Sequence, residues 1–283
     1  MEIPFERPEE RKLLIIEMML ILTLNIIVLV LYVVYRDAIF NMFSPKVFEI
    51  LYRQGHIGVL ITTFVLLNTS YYSFVSYRSM RMLALSSASA SLAGLYVFYF
   101  LSSFMRINST LAFDAELVDF QTSFIIVLFL IGVATSHHFD ESVTFTSKVK
   151  GTAGLPFFIG LLVTVVSIAI ITVLGRILSQ EGLLQLTKII NSLGILSGCI
   201  VFSLEIYRFF NAQRRYLVRM STSVALLTIA VVVKEIAYSQ ITLSSFVFDI
   251  YLMIAIVSYT YGAFKYNISM PILHQKNAER QIT

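Results

Sequence analysis

Residues 13–35 read LLIIEMMLILTLNIIVLVLYVVY, a run interrupted by a single charge, Glu17. A helix needs roughly 20 such residues to cross a hydrocarbon core about 30 Å thick. In lipid only a helix or a closed barrel satisfies its own backbone hydrogen bonds. The alternation of a barrel strand, apolar at every second position over about 10 residues, is missing here. The run is too long for a signal-peptide core and no small-residue cleavage pattern follows it. It is expected to stay as a first span behind an acid-rich cytosolic leader, residues 1–12, which carries Glu2, Glu6, Glu9 and Glu10.

Moving outward from that run, uninterrupted apolar windows place further helices near 56–77, 82–105, 118–137, 154–175, 189–208, 220–240 and 244–265, eight spans with the first. Composition agrees, since the 283 residues are 57% hydrophobic and only 13% charged, where soluble domains carry roughly 25% charge. Eight spans and their loops leave no room for a soluble catalytic domain of the usual size, about 100 residues or more. Cys199 is the only cysteine and lies in an apolar window, which excludes an intrachain disulfide and fits a small packing residue.

An even number of spans puts both termini and the even loops on one side. That side holds 14 of the 21 Lys and Arg residues and the other side 7. By the positive-inside rule the richer side is cytosolic, so both termini are expected inside. The net charge of +4 then calls for membrane lipids rather than nucleic acid as partners. Arg214, Arg215 and Arg219 are placed to meet anionic headgroups. On the outer side lie Asp114, Glu116 and Asp119 and the sequon Asn108-Ser109-Thr110.

The two halves match at polar and glycine positions. Tyr77-Arg78 pairs with Tyr207-Arg208, Asp119 with Asp249, and Gly132 with Gly262, each at an offset of 130. Ser44 and Arg53 pair with Ser179 and Lys188 at an offset of 135. A duplication with an even number of spans per half inserts both halves the same way, so the repeats would be parallel and related by an axis along the membrane normal. The expected fold is therefore an all-α integral membrane protein of eight transmembrane helices arranged as two tandem, parallel-oriented four-helix repeats. They divide as 13–140 and 154–265, with a cytosolic linker at 141–153 and a cytosolic tail at 266–283. Ser44-Pro45 with the following KVFEILYR, and SQEGLLQLTK from Ser179, each suggest a short helix at the outer interface, either lipid-facing or a lid.

Small residues fill the third span from Ala84 to Gly94, which predicts a central helix with close neighbours. Gly194 and Gly198 form a GxxxG pair, read as a face used within the chain in preference to a dimer, although a homo-oligomer stays possible. Ionisable residues inside spans are candidate sites because burying charge in hydrocarbon is costly. Glu17 and Glu205 lie near the inner ends and are expected to stay hydrated. Lys234 and Glu235 lie deeper, point about 100° apart on a helix, and are not expected to satisfy each other; Lys234 is expected to snorkel outward or to pair with Asp119 or Asp249. Near mid-depth Asn25, Asn68, Thr69 and Thr228 need hydrogen-bond partners, as structural glue or as a pocket wall. Asn25, Asn68, Lys234, Glu235, Asp119 and Asp249 are the candidate ligand-binding residues.

His137-His138-Phe139-Asp140-Glu141 could contribute two metal ligands, but no second ligand group accompanies it. No Walker loop, GxSxG or HExxH occurs, so neither an enzyme nor a cofactor is expected. No proline interrupts a span at mid-depth, which removes one mark of ion-coupled carriers. A small-solute facilitator with a pocket between the repeats remains the alternative function.

Two segments, SYRSMRMLALSSASASLAG (76–94) and IYRFFNAQRRYLVRMSTSV (206–224), each end a span in Tyr-Arg, turn through basic residues and re-enter as a small apolar helix. Over most of its length the chain resembles the multi-pass sensory regions at the N-termini of prokaryotic signalling proteins. The resemblance implies a sensor in a prokaryotic plasma membrane that feeds a cytosolic output module. Only about eighteen residues follow Lys265, so the expected role is a sensor or partner-binding subunit without an output domain. It would act on a separate protein on the cytosolic side through Arg78, Arg81, Arg208, Arg214, Arg215 and Arg219.

Overall fold

The computed structural model describes residues 8–42, 45–105, 115–138, 152–212, 215–236 and 241–282, all of them helical or in short turns. The α-helices are α1 (Pro8–Met42), α2 (Pro45–Tyr77), α3 (Met80–Met105), α4 (Ala115–His138), α5 (Leu155–Ile177), α6 (Gln180–Ala212), α7 (Arg215–Ile236) and α8 (Ile241–Ile282), with a 3-10 turn at Thr152–Gly154 before α5. Among the described residues six segments are long and apolar enough to cross a membrane: Lys12–Tyr35, Gln54–Tyr77, Met80–Phe98, Thr152–Ile177, Gln180–Phe210 and Phe246–Ile268. The chain thus has the character of a multi-pass membrane protein.

Of the eight expected spans, those in α4 and α7 fall outside this set. The described apolar part of α4 runs only over Phe120–Ser136. In α7 the charges Arg215, Arg219, Lys234 and Glu235 and the Ser221-Thr222-Ser223 run lower the hydropathy. Yet α7 is lined with fully buried apolar residues, among them Met220, Val224, Leu227, Ala230 and Val233. A helix enclosed by protein does not need a lipid-grade surface.

Helix neighbours give the architecture. α2, α3, α4, α6, α7 and α8 follow one another around a closed ring, with α4 also touching α7 across it. α1 packs on α7 and α5 on α3, both outside the ring. Burial follows from this: 72% of the α3 span is buried but only 6% of the α1 span. Leu20, Leu24 and Leu31 of α1 and Phe158, Leu161 and Val165 of α5 stay largely exposed, as lipid-facing residues do. The core inside the ring is built from Leu66, Phe74, Leu92, Phe129, Leu226, Leu252 and Ile256.

Glycines set the close approaches, as expected for helices that gain little from burial against one another in lipid. A Cβ at Gly198 would lie 2.1 Å from Thr228 Oγ1, and one at Gly194 would lie 2.9 Å from Val127. The GxxxG pair is therefore a face used within the chain, against α7 and α4. The expected central position of the small-residue helix α3 is likewise met.

The two expected interfacial helices do not exist as separate elements. α2 runs unbroken from Pro45 and α6 from Gln180. Nothing in 46–54 or 183–193 is Gly or Pro, so once a helix has started no residue stops it before the apolar span begins. Ser179 does start α6: its Oγ accepts the Gly182 N–H at 3.2 Å, and its carbonyl accepts the Leu183 N–H at 2.9 Å. At the other end of the molecule α2 turns into α3 through Arg78 and Ser79, with Arg78 in the left-handed region at φ 53°. That end, where α1 begins and α8 leaves, is called here the tail end.

α8 continues as helix to Ile282, fourteen residues past Ile268 where its apolar segment stops. Pro271 lies in this stretch and has no N–H, which leaves the carbonyl of Asn267 without its helical donor. The Tyr77 hydroxyl supplies one instead, donating to Asn267 O at 3.2 Å, and Ser73 hydrogen-bonds the Asn267 side chain. α2 thereby holds α8 where it leaves the bundle.

Candidate functional site

At the end opposite the tail, three helices converge on one carboxylate. Asp249 lies in the first turns of the α8 apolar segment and is fully buried, 0% exposed. His56, from the start of the α2 span, places Nδ1 2.6 Å from Asp249 Oδ2. The Tyr96 hydroxyl, near the end of the α3 span, donates to Asp249 Oδ1 at 3.3 Å. The imidazole and phenol rings meet edge-on with centroids 5.7 Å apart. Gly55 makes the arrangement possible, since a Cβ there would stand 2.9 Å from the Asp249 carboxylate. A carboxylate in this position is costly to bury and is retained only with charge-assisted partners.

Lys234 reaches the same turn of α8 from α7. It is 3% exposed, and its Nζ lies 5.1 Å from the centre of the Phe248 ring. The expectation that it snorkels outward is not met; its stem and head stay inside the protein, where an aromatic face receives the cation. Glu235 points the other way, toward α6, and accepts a hydrogen bond from Asn191 Nδ2 at 3.1 Å. The divergence of Lys234 and Glu235 follows from the 100° step along the helix.

A second buried group sits at the tail end. Arg81 is 2% exposed and Glu205 0% exposed; their nearest nitrogen and oxygen are 3.7 Å apart. Arg81 also donates to Met220 Sδ at 3.3 Å. The Ser136 hydroxyl spends its proton on Val133 O at 2.6 Å. The Tyr259 hydroxyl is hydrogen-bonded to both Ser136 and Arg81. Glu205 is therefore not hydrated as expected, and Arg81 is not offered to a cytosolic partner. Burial turns both inward because α6, α7 and α8 close over the start of α3. Arg219 also turns onto its own protein, bridging Glu17 of α1 and lying 5.5 Å from the centre of the Tyr261 ring. Arg78 and Arg208 are half-buried.

The other expected residues are dispersed. Asn25 donates to the Ile21 carbonyl of its own helix at 2.7 Å, and the Tyr251 hydroxyl donates to Asn25 O at 2.8 Å. Asn68 is exposed in a shallow groove with Tyr72, Tyr77 and Asn267 at the α2–α8 seam. The side chains of Asp119, His137, Arg214 and Arg215, and the sequon at Asn108, lie outside the described residues. Of the residues singled out from sequence, Asp249 alone heads a converging cluster with Lys234 beside it. The sequence does not single out His56 or Tyr96: a histidine at a span boundary and one tyrosine among fifteen carry no spacing signal that points across three helices.

Chemically, the Asp249 group can hold or pass a proton. It supplies one imidazole and one carboxylate, and among the described residues no three His, Cys, Asp or Glu side chains converge as a metal site would require. Comparison with known protein families and with characterised proteins gives no match.

Proposed function

We propose that the chain is a membrane-embedded sensor in which the state of the His56–Tyr96–Asp249 group sets the position of α8. All eight α-helices cross the membrane in this reading, as two parallel four-helix repeats with both termini on the cytosolic face. The neighbour relations support the duplication. Exchanging α1–α4 with α5–α8 in order turns α1·α7 into α5·α3, α2·α8 into α6·α4, α2·α3 into α6·α7 and α3·α4 into α7·α8, all of them observed contacts. The polar residues follow the same rule, since His56 of α2 and Asn191 of α6 are related by the offset of 135 that relates Arg53 to Lys188.

The observation that carries the sensor reading is the placement of Asp249. It sits fully buried on α8, which enters the cluster near one end and continues as helix fourteen residues past its apolar segment at the other. At 1.5 Å per residue α8 is about 63 Å long, enough to carry a displacement from one face of a bilayer to beyond the other. A ligand or proton that loosens Asp249 from α2 and α3 shifts α8, and its protruding turns present the change to a protein partner on the cytosolic side. Structural repertoires of this kind use helix shifts of about 1–2 Å.

The test is a pair of spin labels at the exposed tail-end positions Tyr207 and Ile268, in a background where the exposed Cys199 is replaced by serine. Asp249→Asn is expected to move the interlabel distance by about 1–2 Å. An unchanged distance distribution in Asp249→Asn and in His56→Gln, with both proteins folded, ends the sensor reading.

A small-solute facilitator is a second reading, favoured by the fact that Arg81–Glu205, His56–Asp249 and Glu17–Arg219 each join residues of the first four helices to the last four. Polar closures at both ends of an interface between halves suit a carrier. Saturable uptake into reconstituted vesicles, lost in Asp249→Asn, would replace the sensor with this reading.

A further inference from the structure

The geometry points to a bound anionic glycerophospholipid of the tail-end leaflet, with one acyl chain in a groove between α3, α4 and α5 and its phosphate at Arg78. This site is independent of the Asp249 group and of what that group senses.

The groove has a volume of about 360 Å³ and is walled by Met80, Ala84, Ser87 and Ser91 of α3, Thr135 of α4 and Val163 of α5. α4 and α5 meet only marginally, so the groove opens between them toward the lipid, next to the exposed Ile131. The polar atoms in its wall are already spent. Ser87 donates to Leu83 O, Ser91 to Ala88 O and Thr135 to Ile131 O, each at 2.8 Å within its own helix. Nothing inside asks for a polar ligand, which selects an alkyl chain.

Its length selects the source. From Met80 to Ser91 the groove runs roughly 17 Å along α3 at 1.5 Å per residue, close to half of a hydrocarbon core about 30 Å thick. It therefore takes the chain of one leaflet, entered from the tail end.

The headgroup end is marked by Arg78. This residue lies two positions before Met80 and hydrogen-bonds Thr152 Oγ1 in the turn that opens α5. It thus links the beginnings of the two helices, α3 and α5, that form opposite walls. A guanidinium two residues before the wall residue Met80, tied to the turn that opens α5, suits a phosphate joined to an acyl chain in the slot.

The full chain should be reconstituted in vesicles of equal phosphatidylglycerol and phosphatidylcholine, extracted in mild detergent, and its retained lipids counted by native mass spectrometry. One phosphatidylglycerol per chain is expected, preferred about fivefold over phosphatidylcholine, as one interfacial cation would give. Arg78→Asn, whose side chain tolerates the left-handed backbone, should erase the preference while a lipid is still retained. Ala84→Phe, which fills the groove, should abolish retention of both lipids. Val163→Phe fills it from the opposite wall and decides the matter if the first variant does not fold. Equal retention of the two lipids by the unaltered protein, or undiminished retention in the folded filling variant, overturns the site.

Discussion

Replacing Glu205 by glutamine should lower the stability of the bundle by about 3–5 kcal/mol, the usual cost of stranding one member of a buried ion pair. Glu205 and Arg81 are both cut off from solvent in the space among α3, α6 and α7. Arg81→Met should cost about as much for the mirror reason, leaving an uncompensated carboxylate. The double variant Arg81→Met/Glu205→Met should recover most of the loss, because an apolar pair of similar volume is often neutral or stabilising relative to a buried ion pair. Thermal unfolding of the four proteins in one mild detergent measures the cycle. Single costs below about 1 kcal/mol, the range of solvated pairs, would mean that the pair is hydrated after all.

Gly160→Leu should be the most damaging change on the lipid-facing side of the bundle. A Cβ at position 160 would stand 2.4 Å from the Ala90 Cβ and 3.1 Å from both Ser87 O and Ser91 N. Two of these three atoms are backbone of the most deeply buried helix, so the strain cannot be relieved by a rotamer change. Overpacking of this kind costs about 1–3 kcal/mol, and a rigid backbone wall puts the substitution at the upper end. α5 touches the ring through α3 above all, so the expected readout is release of α5: protease cleavage before Leu155 should appear in the variant while the rest of the bundle resists. Gly154→Leu, at a site with open space around it, is the control and should leave cleavage unchanged. Equal protection of Gly160→Leu would show that α3 and α5 are not held at this distance.

Both predictions concern features that the sequence displayed only in part. The run of Ala and Ser from Ala84 to Gly94 announced close neighbours for α3, since small residues leave a surface that only another backbone can fill. Which neighbours, α2, α4 and α5, could not be read, because any helix can approach a smooth face. Arg81 and Glu205 were visible as charges near span ends, and proximity to the interface argued for hydration. What buried them was the closure of the ring at the tail end, a relation among helices more than 100 residues apart in sequence. His56 and Asp249 show the same limit. The carboxylate stood out because it is intolerable in hydrocarbon without partners, but the partners came from α2 and α3, at positions that chemistry alone did not distinguish from their neighbours.

The sequence by itself determined that the chain is helical and membrane-embedded, because backbone satisfaction in lipid depends only on local hydrogen bonding and on the length of an apolar run. It also determined where small residues force contact, because a missing side chain is a local fact. The tertiary structure decided which helices form the ring, that α1 and α5 lie outside it, and which charges face one another within it. Those outcomes rest on pairing between distant segments, and an ion pair exists only once packing has brought its two halves to one place.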